Sequence, residues 1–585
     1  VIFALAVGYL CLKIGQTVDA FAPVSVLAMG MAVLFHRRNA FPETVHIQAI
    51  ASAGTNIIGG AMFILPALYI LNIEEVSFIE MVIPIVLGGV LGVFLATVFR
   101  RYFCEEMDGV YPFPSGSAAA EVLESDEGSK AHLMLLSGAV AMVYDFVLNS
   151  LGWWQELLST TTFQWGQALA DKYKLVFSLD NDAALLGIGY FTGLRYAAII
   201  AAGSFFSWLV CLPIAYYLGA DHTMVVDGQT MLLGTAPVDA VFAKYVRHVG
   251  IGMLAMSGII GLLSMSGVVA RVVKRALADL FQKGTAQNTA LLRTQQDLPM
   301  TQIVFGSFVM AILFAVFFHM MCSNSLTQTI IAFVLVILFA LMLSVVGISS
   351  IAFTGTEPVS GMTIFMLIVS AVVMGAAGMQ GKAGIVAILM MAAFLCATLA
   401  VSGNFMSELK VAYITGATPK KMQQWQLVSI VLAGIVSVGV VFLMNHAYGF
   451  VGDGALAAPQ ANAMAAIVGP MMEGGDAPWP LYMAGAFFAV ILWMMKIPPL
   501  AFALGAYLPM GINTPVLVGG LLSYFVSHSS RDEKVNAKRL GEGNTVASGF
   551  VAGGAIGSLI SAVLHIAGVD WFAKAWAASP EATFA

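Results

Sequence analysis

The sequence predicts an all-α polytopic membrane protein, on the evidence of two features of its composition and one of its pattern. Of its 585 residues, 10% are charged and 59% are apolar, whereas soluble proteins contain roughly 25% charged residues. Water cannot solvate a globule of this size with so little polar surface, so we expect the surrounding solvent to be lipid. Apolar stretches of about 17 to 25 residues also follow one another along the chain, each long enough to cross a bilayer as a helix. We therefore expect many transmembrane helices and no soluble enzyme.

The apolar stretches place the expected spans, the first of which is so short that we expect the chain to lack an N-terminal piece of that helix. They lie near residues 1–13, 21–36, 47–71, 77–99, 131–150, 183–201, 198–219, 243–268, 302–322, 327–347, 362–380, 383–401, 425–445, 480–495 and 545–568. Residues 497–526 are rich in Gly and Pro, which membranes tolerate where broken helices face protein or water. We expect two short passes or a re-entrant hairpin there.

Charge sets the expected topology and excludes several functions. Alternation of the spans puts the basic clusters around Arg38, Lys283, Lys421 and Lys538 on the cytoplasmic side, with the acidic loop from 445 to 479 outside. The net charge of -6 offers no basic field for phosphates, so no nucleic acid is expected as a partner. The five cysteines form no Cys-x-x-Cys, and no Walker A motif is present. We expect no cofactor, no metal site and no catalytic residue.

A basic stretch near the middle divides the chain. Residues 271–284 alternate basic and apolar positions as an amphipathic helix on the inner membrane surface does. We therefore predict an N-terminal transmembrane half (residues 1–270), a cytoplasmic amphipathic linker (271–299) and a C-terminal transmembrane half (300–585). Many secondary transporters consist of two such repeats with the substrate between them.

Two similar motifs are the strongest candidates for substrate binding. Residues 111–121 read Tyr-Pro-Phe-Pro-Ser-Gly-Ser-Ala-Ala-Ala-Glu, and residues 356–363 read Thr-Glu-Pro-Val-Ser-Gly-Met-Thr. Prolines followed by Ser-Gly favour a half-helix N-terminus, whose free N–H groups bind anions such as a peptide carboxylate. The alternative is that Pro and Ser only cap two ordinary helices. The expected substrate-binding residues are Tyr111, Ser115, Gly116, Ser117, Ser360, Gly361 and Thr363, together with Arg195.

Ionisable residues in or beside the spans are the candidates for proton coupling, because a charge in hydrocarbon persists where it faces a cavity or a partner. Glu121 and Glu357 lie beside the two motifs, and Asp145 within a span is the fallback candidate. Glu408 and Lys410 also qualify by position. The alternatives are a solvated acidic turn for Glu121 and a structural contact for Asp145. Arg195 either binds a carboxylate or marks a cytoplasmic turn.

An intramembrane protease is the alternative of another class, using Ser360 with a histidine or Asp145 with Asp453. Pro358 stands where a Gly-x-Ser-Gly motif needs glycine, and Phe450 replaces the first glycine of Gly-x-Gly-Asp. Both departures weigh against a protease.

Several stretches taken together resemble the OPT (oligopeptide transporter) family, bacterial branch, over nearly the whole chain. They are 13–17 (Lys-Ile-Gly-Gln-Thr), 52–54 (Ser-Ala-Gly), 111–121, 187–190 and 193–195, 357–363, 408–419 (Glu-Leu-Lys-Val-Ala-Tyr-Ile-Thr-Gly-Ala-Thr-Pro), 496–500 (Lys-Ile-Pro-Pro-Leu) and 507–509. Eukaryotic members often have Asn-Pro-Gly and Lys-Ile-Pro-Pro-Arg. Here Glu357-Pro358-Val359 and a final Leu500 stand in those places, which puts a substrate of the plant metal-chelate branch in doubt.

The resemblance implies a fold of about 16 helices with internal repeats, some discontinuous or re-entrant. It also implies a multi-pass protein of the inner (plasma) membrane that imports small oligopeptides or glutathione-like peptides by proton-coupled alternating access. Import of metal-chelate or siderophore-like complexes is the alternative. The expected partners are the substrate, protons and the lipid bilayer. Whether the chain forms a homo-oligomer stays open, because its GxxxG patterns serve contacts within and between chains alike.

Overall fold

The computed structural model describes residues 2–15, 17, 24–25, 28, 41–124, 128–226, 229–281, 292–323, 325–354, 359–452, 455–474 and 478–566. Within these residues, 11 helices are long and apolar enough to cross a membrane, and Gly361–Ala376 and Trp479–Met494 are shorter apolar helices. The predicted all-α class is thus confirmed, while the expected total number of spans stays a prediction.

The first half of the chain folds into twelve described α-helices and two short antiparallel strand pairs. They are α1 (Ile2–Ile14), α2 (Phe41–Asn56), α3 (Ile58–Met62), α4 (Pro66–Ile70), α5 (Phe78–Arg100), α6 (Pro114–Glu124), α7 (Gly128–Phe146), β1 (Leu157–Ser159), α8 (Gln164–Tyr173), β2 (Ser178–Asp180), α9 (Ala183–Phe205), α10 (Leu212–Gly219), β3 (Thr223–Val226), β4 (Gln229–Leu232), α11 (Val238–Val241) and α12 (Arg247–Phe281). Antiparallel pairs join β1 to β2 and β3 to β4. Single π-helical turns extend several of the long helices, for example Arg101–Glu106 after α5.

The second half is helical throughout its described residues. Its helices are α13 (Met300–Met321), α14 (Leu326–Thr354), α15 (Val359–Ala376), α16 (Gly381–Thr415), α17 (Pro419–Ala447), α18 (Pro459–Glu473), α19 (Trp479–Met494), α20 (Pro499–Tyr507), α21 (Met510–Ser527) and α22 (Glu533–Ile566). The break between α20 and α21 falls at Leu508 and Pro509, within the Gly- and Pro-rich region where the sequence predicts two short helical segments.

The chain divides into two compact units. The first comprises Val1–Ala131 and Ile259–Ala477, and the second comprises His132–Gly258 and Pro478–Ala585. Each unit therefore combines residues from both sides of the predicted linker. The predicted division into halves at residues 271–299 concerns internal repeats of the chain and not its compact units. It stays a prediction.

Helix α16 forms the centre of the first unit. It is buried almost continuously from Gly384 to Ala412, and its first part, up to Val401, is apolar on nearly every face, as expected for a helix packed on all sides. The Gly88-x-x-x-Gly92 pattern of α5 lets the two backbones approach. Thr398 Oγ1 of α16 donates to Gly88 O at 3.0 Å, and a Cβ at Gly92 would lie 2.7 Å from Thr398 O. The glycine pattern thus brings two helices into close contact, as the sequence predicts.

The second unit uses glycines in the same way. A Cβ at Gly549 of α22 would lie 2.6 Å from Met134 O of α7, and one at Gly557 would lie 2.5 Å from Met142 O. The repeated glycines of α22 therefore form its contact face with α7.

Residues 183–219 contain two helical stretches that meet at a break at Gly193 (φ 71, ψ 159). The break lies two residues before Arg195, close to the expected turn, and ahead of the expected boundary between the spans 183–201 and 198–219. Glycine adopts this backbone conformation without steric cost. Residues 271–281 are helical, as expected, and continue α12 without a break. Their expected position on the inner membrane surface stays a prediction.

Residues 445–479 are expected to form one loop outside the membrane. This expectation is partly wrong, because these residues contain α18. This helix buries Met464, Ile467 and Val468 within the first unit. With 15 residues it is shorter than a full crossing, so a search for apolar stretches of spanning length misses it. Asp453 lies outside the described residues.

Candidate functional site

The first predicted motif forms a helix start, as expected. Helix α6 begins at Pro114, directly after Phe113, whose backbone is left-handed (φ 43). Such a conformation is costly for a residue with a side chain and is kept only where surrounding contacts enforce it. Two hydrogen bonds do so: Phe113 N donates to Ala352 O at 2.9 Å, and Ser117 N donates to Phe113 O at 2.8 Å. Ser117 Oγ also donates to Pro112 O at 2.8 Å.

The second motif also ends in a helix start. Helix α15 begins at Val359, and Gly361 and Thr363 in its first turns are buried. The hydrogen bond from Phe113 reaches Ala352, near the end of α14, and α15 starts seven residues later along the chain. This hydrogen bond joins the start of α6 to the end of α14, and both helix starts lie in the first unit. The side chain of Ser360 and the whole of Glu357 lie outside what the structure describes.

Tyr111 lies three residues before the start of α6 and is almost fully buried. Its ring centroid is 5.2 Å from that of Phe103 and 6.4 Å from that of Phe113. Burial, with a smaller contribution from Tyr102, raises the pKa of Tyr111. Its observed surroundings are those of a packed aromatic residue, and its role in substrate binding stays a prediction.

The start of α6 packs directly against α16. A Cβ at Gly116 would lie 2.9 Å from Ser407 O and 3.5 Å from Ser407 C, so only glycine allows this approach. One turn further along α6, an apolar cluster including Ala119, Ala120 and Val411 joins α6, α2 and α16. Helices α2, α6 and α16 thus meet at the level of Ser407.

A buried carboxyl group lies at this meeting point. Glu408 on α16 is fully buried, and its Oε1 accepts hydrogen bonds from Ser52 Oγ and, at 2.7 Å, from Asn56 Nδ2. Ser52 and Asn56 are four residues apart on α2, so they lie on the same face of that helix. No basic side chain among the described residues forms a salt bridge with Glu408.

Several neighbouring polar atoms lack hydrogen-bond partners. Among the described side chains they include Glu408 Oε2, Ser407 Oγ, Asn404 Oδ1 and both side-chain polar atoms of Gln48. Gln48 lies one turn before Ser52 on α2, and Asn404 lies one turn before Glu408 on α16. Buried polar groups usually have partners, so a cluster without them marks a position where a ligand, ion or water binds. We call Gln48, Ser52, Asn56, Asn404, Ser407 and Glu408 the α2–α16 polar cluster.

A charged pair lies on the other side of α16. Lys410 Nζ donates to Asp108 Oδ1 at 2.5 Å and to Cys104 O at 3.2 Å, and Tyr413 Oη donates to Asp108 Oδ2 at 3.3 Å. The hydrogen bond from Lys410 lowers the pKa of Asp108. The ammonium group of Lys410 also lies 5.8 Å from the centre of the Phe113 ring, so this pair borders the start of α6.

Two predicted site residues lie in the second unit. Asp145 on α7 is fully buried, and its Oδ1 accepts a hydrogen bond from Ala183 N at 3.2 Å. A carboxylate at a helix N-terminus stabilises that helix, which supports the structural alternative for Asp145. Arg195 is exposed and lies two residues after the bend at Gly193. Carboxylate binding by Arg195 and proton transfer by Asp145 stay predictions, as does the role of Glu121, whose side chain is outside the described part.

The polar cluster is the feature that sequence reasoning did not select. Glu408 qualifies as an acid within a span, but the two Ser-Gly motifs favour the acids that lie beside them. Its partners on α2 lie 356 and 352 positions away in the chain. The regular spacing of Gln48, Ser52 and Asn56 on a predicted span was the available signal, because it places three polar side chains on one helix face.

Two comparisons with known proteins bear on the identity of the chain. Residues 1–565 match the family described as OPT oligopeptide transporter protein. A Haemophilus influenzae protein named as a candidate oligopeptide transporter is 24% identical over 614 residues, an alignment that covers 96% of this chain and 93% of that protein. With 11 long apolar helices in the part of the chain that the structure describes, the chain is a multi-pass protein of the inner (plasma) membrane and belongs to the OPT oligopeptide transporter family.

Proposed function

We propose that the chain imports small oligopeptides, glutathione-like peptides included, by proton-coupled alternating access. The observation that carries the proposal is the pair of helix starts at Pro114 and Val359 in the first unit, with Phe113 N bonded to Ala352 O near the end of the helix that precedes the second start. Helix N-termini carry a partial positive charge and free N–H groups. A peptide has a carboxylate at one end that such N-termini bind.

Ser115, Gly116 and Ser117 contribute the first turn of one helix start, and Ser360, Gly361 and Thr363 contribute that of the other. Thr363 Oγ1 is buried without a hydrogen-bond partner, which makes it available to a substrate. In the second unit, we propose that exposed Arg195 takes a carboxylate in a bidentate contact. A peptide ammonium group is expected to need an acidic or carbonyl partner, for which Glu121 and Glu357 are the candidates.

Uptake of labelled peptides into proteoliposomes tests this function, with and without an inward proton gradient. We expect accumulation of dipeptides and tripeptides that depends on the gradient. Peptides with an amidated C-terminus are the matched control, because they keep size and side chains but lose the carboxylate. They are expected to compete poorly.

Four results would contradict parts of the proposal. Equal competition by amidated peptides would remove the role of the helix N-termini. Accumulation of iron chelates instead of peptides would favour the chelate importer, gradient-independent equilibration of small ions would favour a channel, and cleavage of an added membrane substrate would favour a protease.

For coupling, the amide variants of Glu121, Glu357 and Asp145 are each expected to keep substrate exchange and to lose accumulation if that residue carries the proton.

A further inference from the structure

We propose that Glu408, held by Ser52 and Asn56, is a site at which the coupling proton binds and leaves during the transport cycle. The proposal rests on the proposed function, and it adds a proton site that is distinct from the acids beside the Ser-Gly motifs. It follows from the position of one carboxyl group relative to the helices around it.

Glu408 is buried without a counter-ion among the described residues. Its side chain is fully buried in α16, and among the described residues its hydrogen-bond partners are the neutral side chains of Ser52 and Asn56. Leaving a charge in such a place without a cationic partner costs several kcal/mol. In the conformation observed, Glu408 is therefore a neutral acid that holds a proton.

The two carboxyl oxygens have different surroundings. Oε1 accepts both hydrogen bonds, whereas Oε2 has no partner. A protonated carboxyl group donates through one oxygen and accepts through the other. Because the Ser52 hydroxyl has a second acceptor in Gln48 O at 2.9 Å, it can accept from Glu408 as well as donate to it, and the proton has a place on either carboxyl oxygen. Ser407 Oγ, Asn404 Oδ1 and Gln48 are further buried polar groups without partners on the same two helices. Water entering between α2 and α16 finds hydrogen-bond partners there, and it then solvates the ionised form.

Other titratable groups occur on the elements that pack against α16, but none forms a described hydrogen bond or salt bridge with Glu408. They are Glu43 and His46 on α2, Tyr69 on α4, Glu80 and Arg100 on α5, Arg101, Tyr102, Cys104, Glu105 and Glu106 on the π-helical turn, Glu121 and Glu124 on α6, Lys420, Lys421 and His446 on α17, and Glu473 on α18. On α16 itself, Lys382, Cys396, Lys410 and Tyr413 are titratable. Lys410, the charged residue nearest to Glu408 in the chain, is paired with Asp108.

The geometry favours a proton over a metal cation. Asn56 directs an N–H at Glu408 Oε1, and the Ser52 hydroxyl lies within hydrogen-bond distance of the same oxygen. A site for Na⁺ directs oxygen lone pairs at the ion instead. A hydrogen-bond donor at one carboxyl oxygen and a second oxygen without a partner suit a carboxyl group that is alternately protonated and ionised.

The proton site also adjoins the proposed substrate site. Gly116, in the first turn of α6, packs on the backbone of Ser407, the residue before Glu408. A substrate carboxylate bound at the start of α6 therefore lies close to α16, where a small displacement opens or closes the contact between α2 and α16. This is how substrate binding is expected to change the hydration of Glu408.

Glu408→Gln tests the proposal, because glutamine keeps the size of the neutral acid and cannot release a proton. The variant is expected to fold with wild-type thermal stability and to retain exchange of labelled for unlabelled peptide. Its accumulation ratio under a proton gradient falls to about 1, since a carrier without coupling only equilibrates its substrate. Glu542→Gln, which removes an exposed acid in the second unit, is the matched control and is expected to accumulate peptide normally.

Infrared difference spectroscopy provides a readout that does not depend on transport. The C=O stretching band of a protonated carboxyl group is expected in the purified wild-type protein at neutral pH, and its Glu408 component is absent from Glu408→Gln. Should the variant fail to fold, Ser52→Ala keeps the carboxyl group and removes one donor. It is expected to change the pH profile of gradient-driven uptake, which a purely structural role of Ser52 does not move.

The outcomes separate the two proposals. Absence of the infrared band, or normal accumulation by Glu408→Gln, overturns the assignment of Glu408. Stimulation of uptake by Na⁺ with no accompanying proton movement overturns it as well. If the wild-type protein accumulates no peptide, the proposed function fails, while the infrared band still decides whether Glu408 holds a proton.

Discussion

Replacing Gly116 by alanine tests the contact between the proposed substrate site and the central helix. The added Cβ would lie 2.9 Å from Ser407 O, whereas ordinary contacts of a Cβ begin at 3.4 Å. The obstructing atoms belong to the backbone of α16, so they cannot rotate away. The start of α6 must therefore move by about 0.5 Å, and overpacking of this kind typically costs about 1–3 kcal/mol.

This displacement is expected to weaken both stability and substrate binding. If the displacement destabilises the peptide-bound protein by about 1.4 kcal/mol more than the free protein, the KM for peptide rises about tenfold. Peptide uptake by proteoliposomes measures the KM, and thermal unfolding in detergent measures stability. Gly439→Ala is the matched control, because it lies in helix α17 with nothing within 4 Å of its added Cβ. A wild-type KM together with a wild-type Tm for Gly116→Ala would refute the close contact with Ser407.

Three further predictions concern charged residues. Asp108→Asn leaves the buried ammonium group of Lys410 without its counter-ion, and we expect a loss of about 1–3 kcal/mol, less than for a fully buried pair because Asp108 is half exposed. Since the pKa of Asp108 is lowered in the folded state, its contribution is present above the ordinary pKa of aspartate and is lost as the pH falls through the lowered value. Thermal unfolding below about pH 5 should thus depend less on pH in Asp108→Asn than in the wild type. Arg100→Met removes a buried guanidinium group from two carboxylates 2.6 and 2.8 Å away and should cost about 1–3 kcal/mol; an unchanged Tm would contradict this. Single cysteines at Lys421 and Lys538, in a cysteine-free background, should be labelled from the cytoplasmic side, and labelling from opposite sides would contradict the predicted topology.

The helix starts of the site could be predicted from the sequence because their signals are local. Proline at the first helical position fixes the backbone angle and lacks an N–H that would need a partner, so Pro114 marks the start of α6 in the sequence as well as in the structure. The close contacts at Gly88 and Gly92 were predictable for the same reason. Each depends on residues within one turn of each other.

The polar cluster could not be predicted in this way because its members meet only after folding. Nothing adjacent to Glu408 in the chain indicates that its acceptor oxygen will face Ser52 and Asn56. The sequence places the break within residues 183–219 at Arg195, two residues from the observed break at Gly193. A single glycine in an apolar run predicts either a loop or a kink, and the outcome depends on the packing of the finished unit.

The position of Glu408 and Lys410 on α16 explains why one helix can hold a charged and an uncharged ionisable group only two residues apart. Residues two apart in an α-helix point about 200° from each other around its axis. Lys410 accordingly reaches Asp108, which is half exposed to solvent, while Glu408 faces the neutral side chains of α2. Lys410 and Asp108 together carry no net charge, so the pair adds little to the potential that the helix N-terminus offers a substrate carboxylate. In the role we propose for Glu408, the neutral acid on the opposite face adds no charge until water reaches it, so its proton release would be tied to the opening of α2 from α16.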